Sequence, residues 1–132
     1  MLERIRHRLG GNGEQGVTMI ELLVVIIIIG ILLAIAVPSY LGFRERAAAN
    51  ATKANLRTAL TAAEAYHADK GTYVGMNATA LVATDSDVSS TLTVASAHKS
   101  RFCLTDTVNG ATWSVAGPEP SSSDYHRSDD CT

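Results

Sequence analysis

Glu21 stands at the head of a run that otherwise offers no chemistry at all. From Leu22 to Val37, sixteen residues carry neither a charge nor a hydrogen-bonding side chain. A carboxylate costs on the order of 2.5–3.5 kcal/mol at the centre of a bilayer and less near a helix end, where Glu21 lies. An uncompensated charge there needs a reason. Cys103 and Cys131 are the chain's two thiols and can pair only with each other. The four histidines, His7, His67, His98 and His126, fall in different predicted elements with no i,i+4 pair or cysteine neighbour, so they form no metal motif and read as solvated. Asp85 and Asp87 lie in a Ser/Thr-rich loop and read as solvated too, rather than as cation ligands. No phosphate loop, nucleophile elbow or zinc-protease signature occurs, so neither a catalytic residue nor a cofactor is expected and the chain is not read as an enzyme.

The elements that carry these residues are unequal. The chain has 132 residues, 46% of them apolar and 18% charged, but the apolar residues concentrate near the amino end. Val17 to Val37 as a helix would rise about 31 Å, close to the hydrocarbon thickness of a bilayer. The β-branched run Ile26-Ile27-Ile28-Ile29 has mediocre helix propensity in water, whereas in lipid an isolated strand would leave its backbone unpaired, so helix is the reading. Arg4, Arg6 and Arg8 precede it, which places the amino end in the cytoplasm and everything after Val37 outside. Beyond the leader the balance is negative, with 8 basic and 11 acidic residues, so no specific nucleic-acid partner is expected. In the oxidising space outside the membrane, Cys103 and Cys131 are expected to form a disulfide. Three readings of the apolar run remain at this point: a secretory signal peptide cut after Ala34-Ile35-Ala36, a plain anchor, and one that gives Glu21 a task.

The order Gly16-Val17-Thr18-Met19-Ile20-Glu21-Leu22-Leu23, followed by an uninterrupted apolar helix, resembles the processing site of type IV pilins and the related pseudopilins of type II secretion. The resemblance is tight over residues 13–43 and architectural beyond them. It implies a basic leader, residues 1–16, cut after Gly16 by a prepilin peptidase that tolerates no side chain there. The new Val17 nitrogen is then methylated. It also implies helix-weakening positions at Gly30 and Pro38, and a homopolymeric helical filament grown on an inner-membrane assembly platform with minor pilins. Under that reading Glu21, fifth from the cut, pairs with the terminal amine of a neighbouring subunit. The pair cancels two costly charges and sets register, because a misplaced neighbour leaves one unpaired. The expected residence is the cytoplasmic membrane, head outside, before assembly, and a surface fibre after it. A terminal loop closed by Cys103 and Cys131 favours the pilin over the pseudopilin.

The expected fold is α+β: a long helix with a membrane half (17–38) and an amphipathic half (39–70), packed on the small antiparallel sheet of a head formed by residues 71–132. Leu56, Ala59, Leu60, Ala63 and Tyr66 follow three-and-four spacing, and Gly71 stands where a helix terminator would. A short helical turn is expected near Ala78 to Ala83. Strands are expected over Thr91–Ala95, Arg101–Thr107 and Ala111–Ala116. Asn109-Gly110 is a two-residue hairpin turn that makes paired residue numbers sum to 219, which points Phe102, Leu104, Trp113 and Val115 at the helix and Cys103 away from it. Gly117 to Asp130 reads as a loop across the outer face, with Tyr125 as its anchor against the sheet.

Overall fold

The computed structural model describes residues 16–120 and 124–131. Helix α1 runs Met19–Lys70, with Gly30 and Pro38 inside its assigned span; a short helix α2 (Ala78–Thr84) and strands β1 (Thr93–Ala97), β2 (Phe102–Val108), β3 (Ala111–Gly117) and β4 (Tyr125–His126) follow. Two compact units divide the chain between Ser39 and Tyr40.

In the first unit the helix buries nothing. Every large apolar side chain from Val17 to Val37 is at least 46% exposed, and the helix is long and apolar enough to cross a membrane. Water would not tolerate such a surface without a partner.

The second unit is a head with its own core. α1 presents Leu56, Ala59, Leu60 and Ala63 to it, as the spacing predicts, and the buried stripe extends back through Thr52 to Ala48. Small and polar side chains hid that extension from a hydrophobicity pattern. The Thr52 hydroxyl lies 2.9 Å from the Ala48 carbonyl and 3.1 Å from that of Ala111, so its proton ties the helix to the start of β3. Gly71, at φ 72°, ends the helix in the left-handed conformation that favours glycine. Asn77 caps α2 by accepting from the Ala80 amide at 2.9 Å, which lets Leu81 drop into the core.

The sheet is a meander in the order β1-β2-β3-β4, all pairs antiparallel. Asn109 and Gly110 both have positive φ, and the β2–β3 register pairs Leu104 with Val115 and Cys103 with Ala116, as the turn chemistry requires. β1 starts two residues later than expected, and its register shifts between Val94 and Ser96, leaving Ala95 as the extra residue. The bulge lets both Val94 and Ala97 pack against the core, which a strict period of two forbids.

The tail departs most from expectation. Tyr125 pairs with Val115 and His126 with Ser114, so the tail contributes an edge strand instead of a loop throughout; Ser121–Ser123 lie outside the described residues. Beyond β4 it crosses the outer face of the sheet as expected. Thr105 donates to the Asp129 carbonyl at 3.2 Å, Ser114 to that of Asp130, and Cys103 is bonded to Cys131 with the Cα atoms 5.9 Å apart. The backbone of the tail satisfies hydroxyls that face away from the core, which is why Cys103, Thr105 and Ser114 are all buried although they point outward.

Candidate functional site

Gly16 and Val17 form a non-helical lead-in, and the helix begins at Met19. Glu21 is therefore its third residue, and its amide donates to the Thr18 hydroxyl at 3.3 Å and to the Thr18 carbonyl at 3.0 Å. Thr18-x-x-Glu21 is the spacing of a capping box, a signal that the sequence itself carries. Both features soften the burden of the carboxylate. Thr18 satisfies an amide that would otherwise be orphaned, and a negative charge in the first turn sits at the positive end of the helix dipole. The backbone thus favours an anion at this position. The expected leader up to Gln15 lies outside the described residues.

The head holds a second set of polar residues that periodicity did not single out. Asp106 is 1% exposed and lies on the helix-facing side of β2. Its carboxylate accepts from Asn55 Nδ2 at 2.8 Å, Thr91 Oγ1 at 2.5 Å and Ser89 Oγ at 3.5 Å. Three uncharged donors from the helix and the β1 approach converge on it, which ties three elements together at the centre of the head. The parity that aims Leu104 inward also aims Asp106 inward, so the position was legible and its partners were not. Trp113, opposite Asp106, takes the Lys53 ammonium over its ring at 3.8 Å. Arg127 reaches back to Glu45 at 2.6 Å, giving the tail a further tie, to the helix.

The histidines divide. His98 is exposed, whereas the partly buried His67 stacks on Tyr73 with ring centroids 4.5 Å apart and the partly buried His126 lies within β4. Tyr73 itself is buried against Phe102. Burial pushes its phenol above the ordinary value of 10.0, and the carboxylates of Glu64 and Glu119 push the same way. Asp85 accepts the amide of Asp87 at 2.9 Å, a local turn bond.

Residues 11–37 match the prokaryotic N-terminal methylation motif. Over 113 residues the chain is 34% identical to the type IV wide pilus major component PilA4 of Thermus thermophilus, a match that covers 82% of this chain and 85% of that protein. The chain belongs to the type IV pilin family. Two shorter matches agree: 41% identity over 60 residues with the type IV major pilin protein PilA of Myxococcus xanthus, and 36% over 75 residues with a fimbrial protein of Neisseria meningitidis. These cover 46% and 57% of this chain but only 27% and 44% of those relatives. The fold is that of a pilin, with its long amino-terminal helix, antiparallel sheet and disulfide-closed carboxyl end. Pilin membership also accounts for an apolar helix with no cover of its own, since a pilus subunit is anchored in a membrane and then packed among its neighbours.

Proposed function

We propose that this chain is a structural subunit of a type IV pilus, made as a precursor, cut after Gly16, methylated on the Val17 nitrogen and polymerised from the cytoplasmic membrane. The observation that carries the reading is Glu21 at the third position of an exposed apolar helix, five residues from a glycine that a prepilin peptidase would recognise. Cleavage creates a cationic amine at Val17, still cationic after methylation. In a bundle of such helices the Glu21 carboxylate of one subunit meets the amine of the next, and the pairing fixes axial register because a low-dielectric environment penalises either charge alone. The contact is heterologous and does not close, which yields a helical fibre instead of a ring. Gly30 and Pro38 would loosen the helix where it leaves the membrane to enter the fibre. The assembly platform and minor pilins are the partners this route requires. A relative matched over 85% of its own length, itself a pilus major component, favours a fibre subunit over a pseudopilin.

Mass spectrometry of the native amino terminus tests the reading. An amino terminus at Val17 carrying one added methyl is expected. A mature chain beginning at Val37, the product of a signal peptidase acting after Ala36, would overturn it.

A further inference from the structure

Charge is sorted by position within the head. Arg46, Lys53 and Arg57 are spaced by seven and four residues, which at 3.6 residues per turn brings them within about 40° of one line along α1. That line follows the edge where the helix meets β3 and β4. Arg46 lines a cleft with Trp113 and Arg127, Lys53 holds its ammonium 3.8 Å from the centre of the Trp113 ring, and the Arg57 guanidinium lies 6.0 Å from that of Tyr125. The rings steady these cations without cancelling their charge. Set against Glu45, which pairs with Arg127, and Asp124, which precedes Tyr125, the four cations keep an excess of two. Glu64, seven residues past Arg57, ends the basic run.

The opposite sign gathers at the far end of the same helix and on another of its faces. Asp69 stands twelve residues beyond Arg57, about 18 Å along α1 and about 120° around it. Together with Ala80 and Ala83 of α2 it lines a cleft of about 340 Å³, and Asp85 and Asp87 follow α2 directly. Lys70, which bonds Asp69 at 3.1 Å, is the one basic residue between Glu64 and Leu92, against the four acids Glu64, Asp69, Asp85 and Asp87.

Subunits of one fibre point the same way, so a basic side low on the helix and an acidic side higher up match only between copies displaced along the axis. We propose that the stripe of Arg46, Lys53, Arg57 and Arg127 docks on the acidic α1–α2 end of a second copy of this chain. The stagger is roughly 26 Å, the helical rise from the middle of the stripe to Asp69. Heads at the same level would set like charge against like, which an interface penalises. The two faces differ, so the contact is heterologous and adds copies without closing. The rest of the head favours this occupant over a free polyanion. Outside the stripe, residues 40–132 hold four basic and ten acidic side chains, which repel a long anion, whereas a second copy brings both signs. The inference rests on the fibre reading above.

Charge exchange in the full chain tests the contact, read as the fibre mass sheared from the native host and as the thermal melt of the head. Arg46→Glu with Arg57→Glu, and separately Asp69→Lys with Asp87→Lys, should each lower the fibre mass about tenfold, because like charges then meet. The melt should stay unchanged. All four substitutions together restore opposite signs and should recover most of the loss. An unchanged fibre mass in either pair, or no recovery in the fourfold variant, would overturn the contact. Carbodiimide treatment of unsubstituted fibres depends on no variant: dimers joined from Lys53 to Asp69, Asp85 or Asp87 are expected, and dimers without such a link would also overturn it. Fibres that form normally with the stripe reversed yet no longer bind heparin would do the same, by giving the stripe to a free polyanion. An unsubstituted chain that forms no fibre overturns the subunit reading and this inference together, whereas fibres indifferent to the exchange overturn this inference only.

Discussion

The two units of this chain solve opposite problems. Residues 17–37 leave every large side chain outward, at least 46% exposed, and keep their one charge in the first helical turn. The head instead buries Leu56, Leu81, Leu104 and Val115 completely and ties its buried polar residues Thr52, Thr105, Asp106 and Ser114 to named partners. One unit is completed by a surrounding of lipid or neighbouring helices; the other completes itself. Substitutions in the first should therefore disturb assembly without touching stability, and substitutions in the core of the second the reverse.

Glu21→Ala is the sharpest break of that division. A terminal amine left without its carboxylate inside a helix bundle costs about 3–5 kcal/mol per contact, enough to abolish fibres, while the melting of the head stays unchanged. Fibre counts by electron microscopy alongside a thermal melt decide it. Normal fibre numbers would refute the register argument.

Cys131→Ser probes the other unit. Opening the loop between Cys103 and Cys131, a separation of 28 residues, should lower head stability by about 3.5 kcal/mol in the chain-entropy model. Denaturant titration of the natively exported variant measures it. The β4 pairing and the Glu45–Arg127 bond remain to hold the upstream tail, so protease should open residues 128–131 before 125–127.

Gly117→Ala is smaller and more local. A Cβ at Gly117 would lie 2.0 Å from Cζ of Phe102, its cross-strand partner, so the ring must move in a full core. Overpacking of this kind costs about 1–3 kcal/mol, read as a lower urea midpoint, with relief in the double variant Gly117→Ala/Phe102→Leu.

The smallest effect is with pH. The unfolded tyrosine ionises near 10, while Tyr73 in the folded head holds its proton to higher pH. Stability should be level below about pH 10 and fall as pH rises through the folded value, because the unfolded state sheds the proton first. The urea midpoint followed from pH 8 to 11 should show this slope, and Tyr73→Phe should flatten it.

Much of this architecture was legible in local pattern. The apolar run, Thr18-x-x-Glu21, the alanine-rich stripe, Gly71 and Asn109-Gly110 are each readable within a few residues, because capping, turn dihedrals and helical period are short-range constraints. The register sum of 219 followed from the turn alone and recurs in all seven β2–β3 pairs. The bulge at Ala95 was not readable, since it depends on which of Val94 and Ala97 can reach a core built by other elements. Nor was β4: Tyr125-His126 is too short to carry a period, and it becomes a strand only because the edge of β3 offers unpaired backbone groups beside it.

By itself, then, the sequence determined the long helix, its exposed charge, the hairpin and the pairing of its only two thiols, because each depends on neighbours in the chain or on counting. Tertiary structure decided which polar groups live inside. Asp106 is tolerable in the core only because Asn55, Ser89 and Thr91, between 15 and 51 residues away in sequence, converge on it. Thr105 and Ser114 are buried only because the disulfide-held tail brings the carbonyls of Asp129 and Asp130 over them. A buried polar group is stable only when its partner is in place, and partners this distant meet through the fold alone.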